Sequence, residues 1–215
     1  MKVGVLGGTF DPPHRAHIWI ARTVLNRLGL DQVVLMVADH PPHKLQQVQA
    51  EGYHRFAMAV LATQDDPQML VSSMELKVDT VTYTVDTMQA LRESQPNQRF
   101  CFIAGGDSLS ELNTWKEWER LVADNVLVFV PRADGLVGRL APEIDRLVDR
   151  VGLDERIDLT PGRCLLLDSA PTAVSSSSIR RQLLEGLEPS REVLPEAVSR
   201  YIRKNHLYEH DSSAG

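Results

Sequence analysis

A chain of 215 residues can bury one full hydrophobic core without disulfide or metal staples. Its 29 acidic and 23 basic side chains leave a formal charge of −6. That balance argues against a broad basic face for nucleic acid, whereas a small phosphorylated ligand needs only a local cluster of donors.

Residues 2–6 read as a strand, because the run is apolar and ends in a glycine turn; it is shorter than a secretory leader. No stretch approaches the ~20 apolar residues that span a bilayer, so the expected location is cytoplasmic, with no membrane partner. Residues 14–28 read as a helix with Ile18, Ala21, Leu25 and Leu28 on one face and Gly29 as its C-terminal cap. Residues 32–37 form a second strand. The run His40-Pro41-Pro42-His43-Lys44 must be a loop, since adjacent prolines continue neither strand nor helix. Residues 53–62 read as helical, 69–76 as strand-like and 85–92 as helical. A buried strand over 100–104 ends in Gly105-Gly106-Asp107, and a short helix follows over 115–122. Residues 125–130 give another strand, stopped by Pro131, and 163–167 a last one. Helices over 179–184 and 195–204 complete the chain, and the small, polar residues 209–215 are expected to be a disordered tail. Cys101 and Cys164 sit in apolar runs far apart in sequence and are expected to be buried, reduced thiols.

Continuous apolar strands alternating with helices predict a Rossmann-like, doubly wound α/β fold: a mainly parallel sheet with helices on both faces, in one domain over 1–208. Ligands of such folds bind outside the carboxyl ends of the strands, near a switch point in strand order.

Two motifs fall there. In the first, Gly7 and Gly8 follow the first strand and let a phosphate approach the main chain; Thr9 adds a hydroxyl and Phe10 follows. Asp11 suits a helix cap, and Pro12 and Pro13 suit a first turn. His14 and His17 share one face of that turn, where backbone N–H groups favour an anion. A zinc site built from His14, His17, His40 and His43 would lack the expected carboxylate or thiolate partners, and no third glycine completes a dinucleotide-binding fingerprint. In the second motif, Ser175 to Ser178, then Ile179 and Arg180, open a late helix after a strand. Serines cap helices and donate to phosphate, and Arg180 adds a planar fork.

The segment 7–17 resembles the first signature of the HxGH nucleotidyltransferases, with Ala16 where the family commonly has glycine, and 174–180 resembles their second. The resemblance implies that His14 and His17 hold the phosphates of ATP and stabilise charge at the α-phosphorus. It also implies that Ser177, Ile179 and Arg180 contact the nucleotide, with Arg180 on the leaving pyrophosphate.

Further features bear on the acceptor. Lys44 places a cation on a loop; Tyr83 and Thr84 open a helix with an aromatic face and hydroxyls; Asp107 can accept from ribose hydroxyls. Trp115 and Trp118, three apart on a predicted helix, offer a stacking face, and Arg132 ends a strand with a guanidinium. Together these resemble the bacterial nicotinate mononucleotide adenylyltransferases over nearly the whole chain. The likeness implies that Trp115 stacks on the pyridine ring, that groups around Tyr83 and Thr84 receive its carboxylate, and that Lys44 approaches phosphate. Gly105 would contact ATP, Asp107 would serve both nucleotides, and Arg132 the acceptor. The implied partners are ATP and nicotinate mononucleotide. The implied cofactor is Mg²⁺, carried mainly by phosphate oxygens rather than by a protein metal site. A related transferase using nicotinamide mononucleotide, phosphopantetheine or a cytidylyl substrate is the nearest alternative. A silent nucleotide-binding regulator is another, though such a protein would typically have lost His17 or Arg180.

Overall fold

The structure is a computed structural model that describes residues 1–38, 49–77, 81–131, 138–152 and 159–209. Seven strands form a single sheet: β1 (Lys2–Gly8), β2 (Gln32–Val37), β3 (Met69–Ser72), β4 (Arg99–Gly105), β5 (Val126–Val130), β6 (Val148–Val151) and β7 (Arg163–Leu167). Their order is β3-β2-β1-β4-β5-β7-β6, and every neighbouring pair is parallel. Parallel strands buried on both faces explain why the sequence shows near-continuous apolar runs rather than alternation. All five residues of β5 are buried, as are four of the five in β7.

The α-helices are α1 (Arg15–Leu28), α2 (Gly52–Thr63), α3 (Thr84–Ser94), α4 (Trp118–Asp124), α5 (Pro142–Asp145), α6 (Ser176–Leu184) and α7 (Glu196–Lys204). Side chains of α1 and α2 pack with one set of strand residues, including Val33, Leu35 and Ile103. Those of α3, α4 and α5 pack with the other, including Val5, Phe102 and Phe129. The sheet is therefore covered on both faces, the expected doubly wound arrangement. A third cluster joins α2, α6 and α7 through Met58, Ile179, Val198 and Ile202. Among the described residues no helix is long and apolar enough to cross a membrane.

The differences from the sequence reading are local. The strand expected over 69–76 is only Met69–Ser72, followed by a 3-10 turn over Glu75–Lys77. Strand β6 and helix α5 were not foreseen: Asp149 and Arg150 of β6 are exposed at the sheet edge, so its sequence carries little apolar signal. Both thiols are buried as expected, and burial pushes each up to about 12. The expected tail beyond residue 209 lies outside the described residues.

Strand order turns back between β1 and β4, and the carboxyl ends of those two strands carry Gly7-Gly8 and Gly105. Both glycine turns thus open onto the same crevice, the position where ligands bind in this architecture.

Candidate functional site

Gly7 and Gly8 close β1. A Cβ on Gly7 would stand 2.7 Å from the ring of Phe102 on β4, so the absent side chain makes room for that aromatic beneath the turn. Phe10 then takes a left-handed backbone (φ 51°), a conformation that costs a non-glycine residue about 1–2 kcal/mol. Its fully buried ring offsets that cost, and it meets His17 edge-on, with centroids 5.0 Å apart.

Helix α1 begins at Arg15, and His14, in an extended conformation, is its N-cap. The sequence pointed to Asp11 as the cap, and the structure corrects this: the two prolines hold Asp11 outside the helix, where it binds other partners. The imidazoles of His14 and His17 stack, with centroids 3.7 Å apart and planes within 22°. The backbone N–H of His14 donates to His17 Nδ1 at 3.2 Å. A ring that accepts at Nδ1 carries its neutral-state proton on Nε2, so His17 is a donor there. Not every first-turn amide is open to an anion, since that of Arg15 donates to Val193 O at 3.0 Å.

Ser175 caps α6, accepting from the N–H of Ser178 at 3.1 Å. Ser176 donates to Pro12 O at 2.9 Å, which fastens α6 to the first motif. The exposed Ser177 shares a hydrogen bond with Ser175 Oγ at 3.1 Å. Ile179 is 1 % exposed and its side chain lies in the α2–α6–α7 cluster, so only its backbone could face a ligand. Arg180 donates from Nη1 to Asp11 O at 2.7 Å, and the same nitrogen stands 3.6 Å from Asp11 Oδ2. The second motif is thereby bound directly to the first.

On the β4 side, a Cβ on Gly105 would lie 2.5 Å from Asp107 Oδ1. The carboxylate folds back over that glycine at the head of a 3-10 segment, Gly106–Thr114. Trp115 is not on a helix with Trp118. It ends the 3-10 segment in an extended conformation, while α4 starts at Trp118, so the expected three-residue stagger does not exist. Both indoles pack against the same core cluster, and Trp115 also meets Phe102 edge-on at 6.0 Å. Phe102 thus touches the space beneath Gly7 and the Trp115 ring, linking both sides of the crevice. Tyr83 is the N-cap of α3, and Thr84 its first residue. The ammonium of Lys116 sits 4.8 Å from the centre of the Tyr83 ring and is held by Asp86 at 2.9 Å. Lys44 and Arg132 lie outside the described residues.

Asp11, Tyr208 and Arg55 brace the first motif in ways that sequence reasoning did not single out, and Glu75 is a further carboxyl held by α3. Asp11, 2 % exposed, accepts from Gln49 N (2.9 Å), Ala50 N (3.2 Å) and the Tyr208 hydroxyl (2.6 Å). Arg55, 1 % exposed, donates to Thr9 O (2.9 Å), Ala50 O (3.0 Å) and Ala38 O. Glu75 accepts from Thr87 at 2.7 Å; burial pushes its carboxyl above the usual carboxylate range, against the pull of the Thr87 and Thr82 hydroxyls. A charged residue inside an apolar helical stripe, as Arg55 is in α2, was the signal available for one of them.

Beside α1 runs a hollow of about 310 Å³ lined by Arg15, Ala16, Ile18, Trp19, Val174 and Val193 among others. Ala16 is buried against it, immediately before His17. Among the described residues no group of three or more His, Cys, Asp or Glu side chains is placed to hold a metal ion.

Two signature segments meeting over the switch point of a doubly wound parallel sheet define a nucleotide-binding α/β protein, and the family model described as cytidylyltransferase-like matches residues 5–182. Curated relatives are more specific. One from Shewanella pealeana, carrying the name probable nicotinate-nucleotide adenylyltransferase, is 37 % identical over 99 % of this chain and 98 % of its own. One of the same name from Symbiobacterium thermophilum is 36 % identical over 100 % and 98 %. The chain belongs to this family, the nicotinate-nucleotide adenylyltransferases of the cytidylyltransferase-like group. The fold is also that of a solved Plasmodium falciparum nicotinic acid mononucleotide adenylyltransferase complexed with NaAD. That structure is 20 % identical, covers 96 % of this chain and 97 % of its own, and superimposes with a TM-score of 0.74.

Proposed function

We propose that this chain transfers the adenylyl group of ATP to nicotinate mononucleotide, giving deamido-NAD and pyrophosphate, a step of NAD biosynthesis. The observation that carries the reading is the fastening of Arg180 and Ser176 to the segment that positions His17. An imidazole donor and a guanidinium from distant parts of the chain are thereby tied to the same short segment, which suits a shared phosphate ligand. Family membership over the full length supports the choice of acceptor.

The acceptor's 5′-phosphate is already ionised near neutral pH, so no side-chain base or nucleophile is required. One of its oxygens attacks the α-phosphorus, the bond from that phosphorus to the β-bridging oxygen breaks, and pyrophosphate leaves with the electron pair. Catalysis is then positioning and charge stabilisation. His17 Nε2–H and His14 stand at the α- and β-phosphates, Arg180 and Ser177 at the departing pyrophosphate, and the backbone of Gly7 to Phe10 and of Ile179 fixes the triphosphate. Asp107 beside Gly105 accepts from ribose. Trp115, Tyr83 and Thr84 receive the pyridine ring and its carboxylate, and Lys44 and Arg132 the acceptor's remaining charge. A divalent cation is general to such transferases; we assign it as Mg²⁺, arriving on the triphosphate, where it supplies charge neutralisation. The working partners are the two nucleotides, without nucleic acid, and the enzyme works in the cytoplasm.

Pyrophosphate release measured with ATP and each of nicotinate mononucleotide, nicotinamide mononucleotide and phosphopantetheine tests the assignment. The acid is expected to give the highest kcat/KM, and a higher value for either alternative would overturn the choice of acceptor.

The hollow beside α1 is placed to take the adenine, because it is largely apolar and adjoins His17 through Ala16. Ala16→Leu should therefore raise the KM for ATP at least about tenfold, the scale on which a pocket rejects one or two added methylenes. The KM for the acceptor should stay within about twofold; equal rises in both would place the adenine elsewhere.

A further inference from the structure

Tyr208 stands at the far end of the chain from the first motif, 197 residues after Asp11, yet its hydroxyl donates to Asp11 Oδ1 at 2.6 Å. It is 7 % exposed, and its backbone takes a left-handed conformation (φ 63°), just after α7. A tyrosine needing only to fill the α2–α6–α7 cluster could do so from an unstrained backbone with its hydroxyl in water.

Its hydroxyl bears on how Asp11 spends its two oxygens. Oδ1 takes Tyr208 Oη and Ala50 N, and Oδ2 takes Gln49 N. With those three donors in place, Arg180 reaches the carboxylate only through Nη1, at 3.6 Å, and uses the same nitrogen on Asp11 O. Left to itself, an aspartate beside an arginine draws it into a two-pronged pair through both oxygens. Here that pairing is blocked, because one of the two oxygens is already shared between a phenol and an amide. The Nε of Arg180 is buried with no protein acceptor among the described residues, on a side chain only 13 % exposed. The phenol stays protonated throughout the working range, because burial and the neighbouring carboxylate push it well above the usual tyrosine value.

We propose that Tyr208 is a positioning residue for adenylyl transfer: by occupying Asp11 Oδ1 it keeps Asp11 from capturing the guanidinium of Arg180, and so leaves Arg180 poised for the departing pyrophosphate. Asp11 fixes where Arg180 sits, and Tyr208 limits how tightly it is held. The inference rests on the proposed role of Arg180 at the pyrophosphate.

A cycle of variants in the full-length protein tests it, using Tyr208→Phe, Arg180→Ala and the double variant, with kcat and both KM values measured for ATP and nicotinate mononucleotide. Tyr208→Phe should lower kcat about tenfold with the acceptor KM within twofold. In the Arg180→Ala background the same change should lower kcat less than about twofold, because a residue acting only through Arg180 has nothing left to act on. Binding of inorganic pyrophosphate, followed by calorimetry, should weaken about tenfold in Tyr208→Phe, a readout independent of turnover. If Arg180→Ala alone retains full activity, the proposed role of Arg180 fails. If Arg180→Ala is impaired but Tyr208→Phe is not, or if the two losses multiply, Tyr208 is a packing residue and the inference is overturned. Loss of folding in Tyr208→Phe would also overturn it, since the hydroxyl would then serve to hold the fold together rather than to tune Arg180.

Discussion

His17→Ala should lower kcat about 10²- to 10³-fold, the range seen when one pre-positioned donor is removed from a developing negative charge. Charge grows on the oxygens around the α-phosphorus as the acceptor oxygen approaches and the leaving oxygen departs. A donor there strengthens along the reaction, so its removal should appear in kcat more than in KM. Among the described residues, His17 is pre-positioned by the His14 amide on Nδ1, the stacked His14 ring and the edge of Phe10. None requires a proton on Nδ1, so the neutral ring already presents Nε2–H. Because His17 is only half-buried on the first turn of α1, the alanine variant should unfold within a few degrees of the parent. Steady-state kinetics with ATP and nicotinate mononucleotide, beside a thermal melt, check both halves. A kcat within about threefold of the parent would remove His17 from the chemistry.

That the two histidines would share the start of α1, just after the glycine turn, was legible in the sequence because glycine turn, prolines and helix start are contiguous, and local geometry follows from local residues. The same holds for a serine cap on α6: the 175–178 run announced one, and the structure assigns it to Ser175, so that α6 starts at Ser176 rather than at the 179 read from the sequence. What was not legible depends on distant segments. Asp11 looks like a cap in isolation, yet Gln49, Ala50, Tyr208 and Arg180 compete for it, and buried donors outweigh a solvent-facing cap. Trp115 and Trp118 were misread because the segment after Gly105 winds as a 3-10 helix. Its end at Trp115 puts the backbone into an extended form before α4 begins. Ile179 sits within the second motif, but on α6 its side chain falls on the face turned to α2 and α7. Neither β6 nor α5 carries an apolar period: β6 is an edge strand with Asp149 and Arg150 exposed, and α5 has only four residues.

Arg55→Met should destabilise the fold by about 3–5 kcal/mol, more than any other single change argued above. The arginine is a buried cation in the first turn of α2, an expensive placement unless its donors are used. Among the described residues it uses them on three main-chain oxygens from three segments: Thr9 after β1, Ala38 after β2, and Ala50 before α2. Methionine fills much of the volume but leaves those carbonyls buried without donors, at about 1–3 kcal/mol each. Relief from burying a charge returns part of that sum, which sets the net below the simple total. For a chain of this size the change corresponds to a melting-point fall of about 10 °C, readable by calorimetry or by the denaturant midpoint. Arg55→Lys should recover only part of the loss. A single ammonium on a flexible stem cannot span three oxygens that a planar fork reaches together. If methionine and lysine variants both melted within about 2 °C of the parent, the three carbonyls would have to find other donors, and the guanidinium would not be what joins the ends of β1 and β2 to α2. Because Thr9 lies between the glycine turn and Phe10, folded Arg55→Met should also bind ATP less tightly, tying the stability of the crevice to the geometry of its phosphate turn.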